Sequence, residues 1–514
     1  MKSITFAVVA VLATATQICS AGSDHVVSVS VSVGAEMEDK FVSNGRLFLF
    51  LNENLEKEPR KDVWPVTPKR NNIFATNITG WNKGDSRTFG ADTELQATTP
   101  WTLANVPEGT YKLQVLWDQD IEESQINAPG NLYSTVQAVE ISGKTLLKVS
   151  LDQQVPAHKL VEHDHLKLME IESQFLSEWW DRTMKLKASV LLPSSYYDDP
   201  ARVYPLRINI SGYGGRYTRV NYLLENEKFT DWWFGEDAPQ VINVFLDSDG
   251  PFGDNYQLDS ENSGPYGTAL VEELIPAIER SFRTKEDPNY RYVDGCSTGG
   301  WVSLALQIFY PEQFGGAWSF SPDSVSFDHY QLVDLYKDDN LFVNEWGNLR
   351  PVARDIYGDP MVTVKDFIRY ENVLGSSNTY LNSGFQFGAH TALYSPKGED
   401  GLPAPMFDPN TGAINKQVVE AWKKYDLKLH LEENWSTLGP KLQGKIYVWM
   451  GDMDHFYLNP ATRSMSEFLA KTSEPQSDAE FVFDAMEGHC TKFSNMKVLG
   501  MIQDKVDKLE AASP

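Results

Sequence analysis

Between Val26 and about Leu151, apolar and polar residues follow the two-residue period of half-buried strands. Val27, Val29, Val31 and Val33 alternate with serines, and Leu47 to Leu51 forms a compact apolar run after Gly45. Tyr111 to Val115 alternates again behind the turn signal Pro107-Glu108-Gly109, and Val136 to Leu151 holds two further runs around Ser142-Gly143. Past a charged stretch, His158 to Glu172, the period changes. Lys187 to Leu192, Leu206 to Ile210 and Val241 to Leu246 read as successive strands, each followed by a polar, Gly-rich or Asp-rich loop. Leu270, Leu274, Ile278 and Phe282 then recur on one helical face.

The first region predicts a small immunoglobulin-like β-sandwich over 22–155. The second, 156–514, alternates strands with helix-length segments, which predicts an α/β fold with a mostly parallel sheet covered by helices. Its later pieces are a strand at Tyr290 to Val293, a helix at Trp301 to Phe309 closed by Pro311, and a strand at Gly316 to Phe320. Lys445 to Met450 and Phe481 to Phe483 read as further strands around a helix at Thr462 to Ala470. Between them, about 323–442 has no simple rhythm and reads as an insertion bordering a site on the main sheet.

The first 21 residues are set apart by a secretory pattern. Met1-Lys2 gives a positive start, Phe6 to Ala15 an apolar stretch and Cys19-Ser20-Ala21 a small-residue cleavage site, with bulky Ile18 excluding a lipoprotein reading. A secreted protein is the expectation, and no later run is long enough to span a bilayer. The 71 acidic against 45 basic residues give a net charge of −26. Such a surface repels phosphate backbones and anionic lipid, so no nucleic-acid or membrane partner is expected. Asn77, Asn209 and Asn434 open N-glycosylation triplets, of which Asn209, inside a strand, is discounted.

Gly295-Cys296-Ser297-Thr298-Gly299 has the G-x-S-x-G spacing of a serine on a sharp strand-to-helix turn, where the flanking glycines avoid collision. A strand precedes it and a helix follows, as the motif requires. Such a hydroxyl needs a base, and His489, late in the chain after a strand, is the candidate. Cys296 and Cys490, the two cysteines left after the leader, adjoin Ser297 and His489. Bonded to each other, they hold the serine and histidine Cα atoms within roughly 13 Å. A carboxylate must orient the imidazole. Asp454 is preferred, Asp452 comes second and Asp323 third. For the oxyanion, Thr298 N–H is one expected donor and Tyr213 N–H, in Ser211-Gly212-Tyr213-Gly214-Gly215, the other.

These residues resemble two groups of enzymes. About Lys187 to Pro322, with Ile210 to Gly215, Gly264-Pro265-Tyr266-Gly267 and Ile275-Pro276-Ala277-Ile278, looks like the α/β-hydrolase esterase family related to esterase D. Many of its members carry His-Gly where Ser211-Gly212 stands here. Cys296-Ser297, Asp454 and His489-Cys490 resemble the CS-D-HC arrangement of fungal tannases and feruloyl esterases, in which a disulfide joins the neighbours of serine and histidine. That resemblance implies Asp454 as the acid. It also implies a serine esterase; the triad chemistry needs no cofactor or metal, and the acidic surface suits an uncharged small-molecule or carbohydrate-linked ester such as a sugar or phenolic ester. The sequence leaves oligomeric state open. The same triad serves an exopeptidase or acyltransferase, and a non-catalytic binding protein on the same scaffold is the rival from another class.

Three other signals carry less. His163-Asp164-His165 with His158 reads as a solvated surface stretch rather than a metal site. Asp247-Ser248-Asp249-Gly250 lacks the distal glutamate of a calcium loop and reads as a polar loop. Trp179-Trp180 and Trp232-Trp233 are expected in the core.

Overall fold

The computed structural model describes residues 25–67, 69–120 and 123–512, so the leader expected over 1–21 lies outside the described residues. Among these, nine strands form an N-terminal sheet: β1 (Val27–Val33), β2 (Gly45–Asn52), β3 (Asn71–Ile78), β4 (Arg87–Phe89), β5 (Gln96–Ala97), β6 (Gly109–Asp118), β7 (Leu132–Ser134), β8 (Gln137–Ile141) and β9 (Thr145–Gln154). Hydrogen bonds link them in one path, β4-β1-β9-β7-β6-β2-β3-β5, with β8 also paired to β6. The valines of β1 point to one face, and there they pack with Leu47, Leu49 and Leu51 of β2, a strand to which β1 is not bonded. The path therefore folds over itself around a shared apolar layer. The apolar run of β2 is explained by burial on both faces, because Phe48 and Phe50 turn the other way, onto Val373, Leu374 and Phe385 of the following region.

The second sheet runs β10 (Leu166–Ser173), β11 (Met184–Leu191), β13 (Ile242–Leu246), β12 (Leu206–Ile210), β14 (Arg291–Cys296), β15 (Gly316–Phe320), β16 (Ile446–Gly451) and β17 (Glu480–Asp484). The expected mostly parallel sheet is in fact mixed. β12 to β17 are mutually parallel, but β10 pairs antiparallel with β11, and β11 with β13. The reason lies in the stretch read as merely charged: Lys167, Glu170 and Glu172 punctuate β10, an edge strand that hides only one side. The parallel strands β12 to β15 are buried along their whole length, as helices on both faces require.

Helix α1 (Thr298–Phe309) follows β14 directly and is buried nearly throughout. The helix expected around Leu270 to Phe282 is present as Tyr266–Ala269 and Ile275–Ser281, joined by one wide π-turn at Leu270–Leu274. The insertion holds two helices that bear on the site, α2 (Val364–Leu374) and α3 (Gln386–Tyr394). They are tied by buried Glu371 of α2, whose carboxylate accepts from Phe387 and Gly388 N–H at 2.8 and 2.9 Å, at the start of α3. A C-terminal helix, α4 (Asn495–Ala512), unforeseen from the sequence, lays Val498, Leu499, Ile502 and Val506 against Tyr292, Trp318 and Trp449.

Beneath the site, Arg207 of β12 and Asp294 of β14 form a fully buried bidentate pair at 2.6 Å. Asn243 and Asn495 take further guanidinium hydrogens, and Asn209 donates to Asp294. The side chain of Asn209 is thus enclosed. Trp233 is buried and Trp232 half-buried, but Trp179 is 46 % exposed, so the first tryptophan pair is not core as expected. It belongs to a short surface helix, Gln174–Trp180, whose buried anchor is Leu176. Among the described residues, no group of three or more acidic, His or Cys side chains is placed to hold a metal, and no helix is long and apolar enough to cross a membrane.

Candidate active site

Ser297 sits where β14 gives way to α1, at φ +61° and ψ −129°, a conformation costing a non-glycine residue about 1–3 kcal/mol. Close packing enforces it. A Cβ on Gly295 would stand 2.5 Å from both Gly299 and the Ile210 carbonyl, and one on Gly299 would stand 2.2 Å from that same carbonyl. The glycines are therefore demanded by backbone contact on the side facing β12. Ser297 N–H donates to Phe320 O at 3.0 Å, which fixes the turn from the β15 side.

His489 follows β17, on a turn whose next residue, Cys490, has φ +61°. Its Nδ1 lies 2.7 Å from Asp454 Oδ2. The Asp454 carboxylate is completely buried, and its other oxygen accepts from Phe456 N–H at 2.9 Å. Arg354 holds the same turn by donating to the Asp454 carbonyl. Asp452, the second choice, points away and pairs with Arg463. Burial by itself favours the neutral imidazole, but the Asp454 charge and hydrogen bond, helped by Asp323, overcome it and raise His489 above its ordinary 6.5. The ring is also met edge-on by Phe456, at 4.9 Å and 87°.

Cys296 and Cys490 are joined in a disulfide, with Cα atoms 6.0 Å apart. Ser297 and His489, one peptide step away on either side, line one cavity of about 570 Å³. The loop after β12 lies against the serine: a Cβ on Gly212 would meet Cys296 O and Ser297 Cβ at 3.6 and 3.8 Å. This loop is braced by Gly214 N–H donating to buried Asp254 at 2.8 Å, and by the Tyr213 hydroxyl on the Gly384 carbonyl. Burial raises Asp254 to about 7. Thr298 begins α1, and its hydroxyl donates to Asp323 Oδ2 at 3.0 Å.

Asp323, the third choice for the acid, does not touch His489 but gathers Thr298, Tyr256 and Gln386 on one oxygen, with His390 at 3.5 Å. It lines the cavity with Tyr330, Phe367 and Phe387 from the insertion, and with Trp64 from the N-terminal strands. These walls were not found from sequence. No local motif marks them, because they are contributed one at a time by segments distant along the chain. His163 stacks on Phe234 at the surface and His165 meets the same ring edge-on, and Asp247 and Asp249 surround Arg216.

Sheet order and the strand-turn-helix at Ser297 define an α/β-hydrolase. Within that class the chain belongs to the Putative esterase family, whose profile matches residues 181–500, and it is a serine ester hydrolase. No curated protein matches the chain. Among solved structures, a ferulic acid esterase is 14 % identical, with 67 % of this chain and 98 % of that one covered, at a TM-score of 0.41. An S-formylglutathione hydrolase from Agrobacterium tumefaciens is also 14 % identical, covering 67 % and 94 %, at 0.36. A ferulic acid esterase from Anaeromyces mucronatus in complex with ferulic acid is 11 % identical, covering 68 % and 92 %, at 0.33.

Proposed function

We propose that this chain is a secreted esterase that cleaves carboxylic esters, of the sugar or phenolic kind, through Ser297, His489 and Asp454. His489 Nε2 takes the Ser297 proton as the hydroxyl oxygen attacks the ester carbonyl. The carbonyl oxygen becomes anionic, and the N–H groups of Thr298 and Tyr213 receive it. Collapse of the tetrahedral species expels the alcohol, which leaves with the proton from His489, and water then repeats the cycle on the acyl-enzyme. Asp454 keeps the proton on Nδ1 and stabilises the imidazolium. The observation that carries the reading is the 2.7 Å contact between His489 and fully buried Asp454, beside a serine held at positive φ and lining the same cavity.

Secretion is supported by the leader pattern of Met1 to Ala21 and by the disulfide, since such bonds persist in oxidising compartments. We read residues 22–155 as an immunoglobulin-like domain and 156–514 as the hydrolase domain. A fluorophosphonate probe tests the chemistry. The expected result is an adduct on Ser297, absent from Ser297→Ala; a wild-type chain that stays unlabelled and turns over no ester overturns the reading. A panel of aryl, acetyl-sugar and feruloyl esters against aminoacyl amides then separates esterase from exopeptidase.

A further inference from the structure

Residue 64 lies far outside the matched family region, 181–500, yet Trp64 lines the cavity that holds Ser297 and His489. The loop that carries it is pinned at its base. Asn71 Nδ2 donates to the carbonyls of Pro59 and Asp62 at 2.7 and 2.8 Å, and buried Asp62 accepts from Asn52 and Lys57 at 3.0 and 2.9 Å. The indole itself is gripped from the hydrolase side, edge-to-face with Phe367 at 5.3 Å and with Phe456 at 6.3 Å, and stacked on Phe385 at 6.1 Å. Phe456 is the ring that meets His489 edge-on.

The surrounding contact between the two regions is also fixed. Arg46 donates to the Val373 carbonyl at 2.8 Å, the Tyr370 hydroxyl donates to Asn71 O at 2.9 Å, and Arg216 pairs with Glu123 at 2.9 Å. Trp64 is therefore held in place rather than resting on the surface, and it remains half-buried because one side borders the cavity. We propose that the N-terminal strands complete the active site, with Trp64 as a specificity-determining residue whose indole forms the wall for a flat aromatic half of the ester. This rests on the ester-hydrolase reading above. A rigid indole offers a ring a large contact area at little entropic cost, and offset or edge-on ring pairs add to area burial alone. A group as small as acetyl or methyl has little surface for that wall to cover.

The test uses the full-length chain as wild type, Trp64→Ala and Trp64→Leu, the second preserving apolar bulk without the ring, with Tm measured for each. Two pairs of substrates share a reacting group: methyl acetate against methyl 3-phenylpropanoate for the acyl half, and methyl against benzyl acetate for the alcohol half. The expected result is a loss of about tenfold or more in kcat/KM, carried by KM, for the aromatic member of one pair, with its small partner changed by no more than about twofold. Equal losses on both members make Trp64 a support for Phe456 and His489 only, and no loss on either makes it a bystander; each overturns the proposal. A wild-type chain that turns over neither pair and takes no fluorophosphonate removes the esterase reading beneath it, which is a separate failure.

Discussion

At the scale of single residues, the site depends on one charge holding one ring. Asp454 has no exposure to water and gives one oxygen to His489, the other to a backbone N–H. Asp454→Asn keeps the shape but reverses the preferred imidazole tautomer. We expect kcat for a simple aryl ester to fall by about 10⁴-fold with little change in KM, read by steady-state kinetics. The His489 shift sets the pH response. As the proposed base, His489 must be neutral to act, and its pKa is raised above 6.5, so kcat/KM is expected to rise with pH along a limb centred above that value. Asp323 contributes to the rise through its charge. Asp323→Asn therefore moves the limb to lower pH, and an unmoved limb would exclude that coupling. The strained turn at Ser297, its shared cavity with His489 and the disulfide were legible in the sequence because their signals are adjacent letters: a five-residue turn, and cysteines abutting the proposed nucleophile and base. The preference for Asp454 over Asp452, which the resemblance supports, has no local rule behind it, since both follow the same strand and only the turn decides which carboxylate faces the ring. Phe456 and Trp64 carry no local signal at all.

At the scale of elements, β12 to β16 were visible as short runs rich in β-branched and aromatic residues, and the polar residues within them, Arg207, Asn209 and Asp294, are buried against one another. β10 was missed for the opposite reason: its charges belong to an edge facing water. α4 was missed because its inward residues, Val498, Leu499, Ile502 and Val506, are few among many charged ones. Joining β12 to β14 is the Arg207–Asp294 pair, which has no access to solvent. Asp294→Asn leaves a buried guanidinium without its counter-charge, and we expect a loss of about 3–5 kcal/mol in denaturant unfolding. Replacing both partners by leucine should cost far less, because no orphan charge then remains.

At the scale of the whole molecule, several buried carboxyls hold protons longer than they would in an unfolded chain. Burial raises Asp118 and Asp254 to about 7 and Glu371 to about 8. Unfolded, such groups release their protons near pH 4. The folded form therefore binds more protons between about pH 4 and 8. The stability these groups contribute is complete below that window and is lost as pH climbs through 7 to 8. The net charge of −26 acts in the same direction by self-repulsion. Thermal denaturation should give a higher Tm near pH 5 than near pH 8, and Glu371→Gln should flatten the slope.

The bond between Cys296 and Cys490 spans 194 positions, and that span contains the entire insertion whose helices wall the cavity. A protease that cuts once inside this span does not release either piece. The nicked enzyme would migrate as a single species on a gel run without thiol and fall into two bands once thiol is added. Turnover measured before and after such a cut would then show how far catalysis needs an unbroken backbone, with the severed halves still fastened beside the serine and the histidine.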